Sequence, residues 1–219
     1  TFEDYLGFVA SDTDNKIIIQ SISSPNATNN LYNISSSSKT DVLNFQMNGN
    51  FFAGENVYRG ENSSNWNQSV DDLSMYFGKE VVFDTNIGLQ NRGSSDNLTF
   101  YIPQLLSANI TNLDNGKITA GSVVTWNLDS LNKNGVILAV EYKPTSQKSE
   151  LMSQQYNIHI MKGVTLSDDG SYTISSSDLE SFPDNATLSL YIGRVGYTID
   201  IGADGSGDIA IGAYTSIRA

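Results

Sequence analysis

The sequence predicts an all-β protein built of two β-sandwich domains with at most short helical turns. Three observations carry that prediction. Short runs alternate apolar and polar residues with a period of two along most of the chain. Turn-forming pairs such as Asn48-Gly49, Asn134-Gly135 and Asp169-Gly170 separate them. Almost no stretch shows the periodicity of an amphipathic helix.

The clearest stretch is Gly121 to Tyr142. Val124, Trp126 and Leu128 alternate with Val123, Thr125 and Asn127, and after a polar loop the pattern resumes with Val136, Leu138, Val140 and Tyr142. Asn134-Gly135 tolerates the positive φ of a tight reversal, so the two runs read as a hairpin with Trp126 as its buried anchor.

Earlier in the chain, the β-branched run Lys16–Ile22 reads as a strand, Leu31–Ile34 as a short one, and Ser35–Ser38 as a flexible run. Leu43, Phe45 and Met47 share a face, and Asn48-Gly49 turns the chain into Phe51-Phe52. One helical turn is expected within Val70–Phe77, with strands at Glu80–Thr85 and Leu98–Ile102. Pro103 interrupts that strand, and the domain boundary is placed there: residues 1–103 and 104–219. In the second half, strands are expected at Ser107–Leu113, Tyr156–Met161, Val164–Leu166 and Tyr172–Ile174. Ser175–Phe182 reads as a short helix with a serine cap. Leu188–Ile192 and Tyr197–Ile201 read as strands separated by a Gly193-Arg194-Val195-Gly196 break, and Asp208–Ile217 closes a sheet.

Composition bounds function. With 24 acidic against 12 basic residues the net charge is −12, a field that repels phosphate backbones and anionic membranes. Nucleic acid is therefore not expected as a partner. No apolar run approaches the ~18 residues that span a bilayer, so direct membrane insertion is not expected. The absence of cysteine removes disulfides, thiolate metal sites and thiol nucleophiles. Richness in Ser, Thr, Asn, Gly and Tyr with only 16% charged residues fits an extracellular β protein. The start at Thr1, with no basic or apolar leader, reads as a mature or trimmed form.

Thr119–Asn127, Asn134–Tyr142, Asp168–Leu179 and Leu190–Tyr197 resemble the immunoglobulin-like β-sandwich domains of Bacteroides-type secreted surface lipoproteins of unassigned function. The resemblance covers roughly the second half. It implies an immunoglobulin-like second domain, an exported location and an adhesive or scaffolding role, with no catalytic residues to carry over. The cysteine that would carry the lipid is missing, so any anchor would lie in a segment not present here.

Motifs for chemistry are sparse. The single histidine, His159, alternates with Ile158 and Ile160 and reads as an outward-facing strand residue. There is no Gly-x-Ser-x-Gly elbow and no phosphate-binding loop, and the glycine-rich Gly202–Gly207 reads as a loop. Asp200, Asp204 and Asp208 recur every four residues and are candidate Ca²⁺ ligands, although Asp-Gly pairs also serve as ordinary turns. No other cofactor is indicated. Tyr58, Arg59, Glu61, Asn65 and Trp66 gather aromatic, acidic and amide groups in one loop, the residue types of a sugar site. The alternative is that Trp66 caps the core beneath it.

The expectation is an exported, cell-surface binding or scaffold protein, adhesin-like and not an enzyme, whose partner is a glycan or a surface protein. The alternatives are a carbohydrate-binding module using the Tyr58–Trp66 loop, a small glycoside-active enzyme with two facing carboxylates, or a surface-fibre subunit.

Overall fold

The computed structural model describes residues 15–23, 31–38, 44–53, 73–84, 97–143, 159–184, 186–200 and 209–218. Its strands are β1 (Asn15–Ser23), β2 (Leu31–Ser38), β3 (Asn44–Met47), β4 (Asn50–Ala53), β5 (Lys79–Asp84), β6 (Leu98–Ile102), β7 (Ala108–Thr111), β8 (Val123–Trp126), β9 (Val136–Tyr142), β10 (Ile160–Leu166), β11 (Ser171–Thr173), β12 (Leu188–Asp200) and β13 (Ile209–Arg218). Two short helical elements accompany them, a 3-10 turn at Leu73–Tyr76 and helix α1 at Ser176–Leu179. The protein is an all-β sandwich.

The backbone of the architecture is a six-stranded sheet, ordered β10-β9-β12-β13-β1-β2. All its pairings are antiparallel except β1 with β13, which run parallel over their full length. Ile211, Ala213 and Ile217 alternate along β13 and so share one face of this sheet. Ile211 and Ala213 join a core beneath a four-stranded sheet, β4-β3-β5-β6, while Ile217 joins a second core beneath a three-stranded sheet, β11-β8-β7. Pro103, the expected boundary, follows β6; strands from both sides of it, β1 and β2 before and β9, β10, β12 and β13 after, share the six-stranded sheet.

The first core is aromatic. Phe45 stacks on Phe52 with centroids 5.3 Å apart, and Phe83 meets Phe100 edge-on at 6.2 Å. Its hairpin is the expected one: Asn48 (φ 47°) and Gly49 (φ 82°) supply the left-handed pair that a two-residue reversal needs. The second core is aliphatic around Trp126, with Val136, Leu138 and Val140 from β9 and Leu190 and Ile192 from β12.

Several expectations need correction. The Gly121–Tyr142 stretch is not a hairpin: β8 pairs with β7 and β11, whereas β9 pairs with β10 and β12 in the opposing sheet. Alternation reports which face is buried, and two runs facing each other across a core satisfy it as well as two neighbours in one sheet. Leu128 lies beyond the end of β8 and is 55% exposed. The Gly193–Gly196 break does not exist, because β12 runs unbroken for 13 residues and both glycines sit in its ladder with β13. Close packing explains one of them: a Cβ on Gly196 would lie 3.1 Å from both the Tyr101 carbonyl oxygen and Pro103 Cδ. Ser35–Ser38 continues β2 rather than forming a flexible run, and Gly163 sits inside the continuous β10. Helix α1 is shorter than expected but capped as foreseen, with Ser175 and Asp178 closing a reciprocal capping box.

Candidate functional site

Two polar clusters and one apolar groove are the chemically distinctive places among the described residues.

The first cluster lies on the inner face of the six-stranded sheet, between the two cores. Inner-face alternation along β12 runs Leu190, Ile192, Arg194, and the register sets Arg194 beside Thr215 of β13. An arginine at that position is enclosed on all sides, with 0% of its side chain exposed. It is neutralised by Asp168, whose side chain is 3% exposed: Nε donates to Oδ2 at 2.7 Å and Nη2 to Oδ1 at 3.0 Å, a two-pronged pair. The remaining guanidinium donors reach the carbonyls of Gln104 (3.3 Å) and Asn127. Asp168 also accepts from Trp126 Nε1 (2.9 Å) and Asn132 Nδ2 (3.0 Å). Burial would raise its pKa, but the hydrogen bonds from Arg194, Asn132 and Trp126 and the positive charge beside it hold it below the ordinary aspartate value.

The cluster extends along the crossing segment 103–107. Asp129 accepts from Tyr101 Oη and the Gln104 amide, each at 2.8 Å, and Thr215 Oγ1 accepts from the Leu106 amide at 3.0 Å. Each carboxylate oxygen of Asp168 and Asp129 thus accepts at least one hydrogen bond. The arrangement ties the chain between the small sheets to β12 and β13 beneath it.

The second cluster lies on the other face. Glu141 of β9 accepts from Tyr191 Oη at 2.6 Å, and its other oxygen lies 2.9 Å from Lys143 Nζ and 2.7 Å from His159 Nε2. Burial raises the pKa of this carboxyl, but the three donors outweigh it and bring it from 4.5 down to about 2. Glu141 is therefore an anion at neutral pH and no general acid. His159 is exposed, as expected of an outward-facing residue, and its contact with Glu141 is the feature that sequence does not reveal.

A pH dependence follows. Because the folded pKa is depressed, the stabilisation from Glu141 is complete above about pH 4.5 and is lost as pH falls towards 2. Urea unfolding is expected to show Glu141→Gln less stable than wild type by up to about 3 kcal/mol at neutral pH, a gap that narrows towards about pH 3. A gap independent of pH would mean the carboxylate charge contributes nothing.

The groove lies at the open side of the second core. There β7 is one edge of the three-stranded sheet, β11 being the other. A cavity of about 190 Å³ opens between β7 and the six-stranded sheet, lined by Ala108, Ile110, Val124, Leu190, Ile192 and Ile217, with Asn109 at its border. Beside it, the Asn127 amide donates to the Ser107 carbonyl at 3.1 Å, which fixes the phase of the β7–β8 ladder. In that phase Asn109 and Thr111 turn their main-chain groups to β8, whereas Ala108 and Ile110 turn theirs outward. Among the described residues β7 has no strand on that side.

The residues singled out from sequence are not brought together by anything described. Tyr58, Arg59, Glu61, Asn65 and Trp66 lie outside the described residues, as do Asp204 and Asp208. Asp200 ends β12, and its side chain too lies outside them. Trp126 is the buried anchor foreseen, at 6% exposure. What sequence missed is Arg194, read as part of a strand break, and its partner Asp168, next to the Asp169-Gly170 turn. The spacing Leu190, Ile192, Arg194 is the signal that places the arginine on the buried face.

Comparisons with known proteins return no match among family models, curated proteins or solved structures.

Proposed function

We propose that this protein is an exported, cell-surface binding or scaffold module that performs no catalysis. The observation that carries the reading is the open apolar groove beside β7, an edge with no strand partner among the described residues and a surface suited to a partner. The commitment of Asp168, Asp129 and Glu141 to hydrogen bonds that tie the fold together supports the same view. The richness in Ser, Thr, Asn, Gly and Tyr with only 16% charged residues favours the exported setting.

The immobilised protein should be presented with purified matrix proteins and surface glycoproteins, and the same preparation assayed on chromogenic glycosides and esters. Saturable binding without turnover is expected. Turnover that disappears in a folded Glu141→Gln or Asp129→Asn variant would overturn the reading.

A further inference from the structure

Resting on the reading as a binding module, we propose that the β7 groove takes an extended segment of another protein, which adds to the three-stranded sheet as its fourth strand. The backbone states the conformation of the occupant. Ala108 and Ile110 direct two amides and two carbonyls along the sheet plane, and only another extended chain satisfies such a row in register. The groove states its side chains. A strand laid beside β7 turns every second residue towards the apolar lining that includes Ile192 and Ile217, so those positions are apolar.

Charge decides between a second copy and a different protein. A chain of net charge −12 repels its own kind and attracts a basic partner. Nothing at the groove offsets this, since its lining carries no charged residue. The partner is therefore a basic extended segment with alternating apolar residues. Binding would cover the apolar opening and pair the edge in one step.

The probe is a short synthetic peptide in which valine alternates with threonine between paired lysines. Fluorescence anisotropy should give saturable binding to the full chain. Amide exchange read by NMR should show Ala108 and Ile110 becoming protected in the complex. Replacing the lysines with glutamates should weaken binding about tenfold at low salt, and the difference should shrink as salt is added. Ile110→Lys, which sets a charge in the apolar floor, should weaken binding by at least about tenfold, with near-UV circular dichroism reporting the fold.

No saturable binding of the basic peptide would overturn the proposal, as would binding that leaves the Ala108 and Ile110 amides unprotected. The wild-type exchange measurement decides this even if Ile110→Lys fails to fold. Self-association in sedimentation runs that protects the same two amides would make the occupant a second copy and overturn the assignment to another protein. A negative peptide result beside positive surface-protein binding sinks this inference alone, whereas enzymatic turnover sinks the functional reading and leaves the groove standing.

Discussion

Arg194→Met is expected to destabilise the protein by about 3–5 kcal/mol in equilibrium urea unfolding, the cost of leaving a buried charge without its partner. Asp168 would keep the hydrogen bonds from Trp126 and Asn132 but lose its counter-charge, in a place where its side chain is 3% exposed. The carbonyls of Gln104 and Asn127 would lose a donor as well. For a domain of ordinary stability, about 5–15 kcal/mol, that is a large share. The double variant Arg194→Met with Asp168→Leu should recover part of the loss, since it removes the stranded charge. Recovery stays incomplete because the Trp126 and Asn132 donors then have no acceptor. A single-variant loss below about 1 kcal/mol would show that water reaches the pair and that it behaves as a surface ion pair.

Gly135→Ala is expected to cost at least about 2 kcal/mol, from two independent causes. At φ 75° the residue is left-handed, a conformation that any side chain other than glycine's resists by ~1 kcal/mol or more. A methyl group there would also fall on the carbonyl oxygen of Leu166 at the end of β10, and backbone in a paired strand yields little. Gly49→Ala is the matched control, with φ 82° but open space around the added methyl, so it isolates the conformational part. Thermal or urea unfolding of the two should rank Gly135→Ala clearly below Gly49→Ala; equal losses would mean the Leu166 contact relaxes freely.

Sequence made the local rules legible and left the pairings hidden. Asn48-Gly49 announced its hairpin because the two-residue reversal is a property of those residues alone. Ile17 and Ile19 announced a buried face for the same reason. No local signal, however, tells β1 to lie parallel to β13, a strand that enters at Ile209. The same limit explains Gly121–Tyr142. Both runs were recognisable as strands, and Trp126 as core, but facing partners and neighbouring partners leave identical alternation. Arg194 was misread because glycines flank it on both sides and its counter-ion sits at Asp168, in another turn of the fold. The groove lay out of reach for a different reason. It exists because β7 lacks a neighbouring strand among the described residues, and a missing neighbour leaves no mark on the residues that would have touched it.

The openness of the β7 edge is what the functional account depends on, and residue-resolved amide hydrogen exchange on the free protein tests it most directly. The phase of the β7–β8 ladder predicts an alternation: slow exchange at Asn109 and Thr111, whose amides are paired, and fast exchange at Ala108 and Ile110, whose amides face outward. Slow exchange at all four would mean the edge is already covered in the free protein, and the groove could not then be the binding surface.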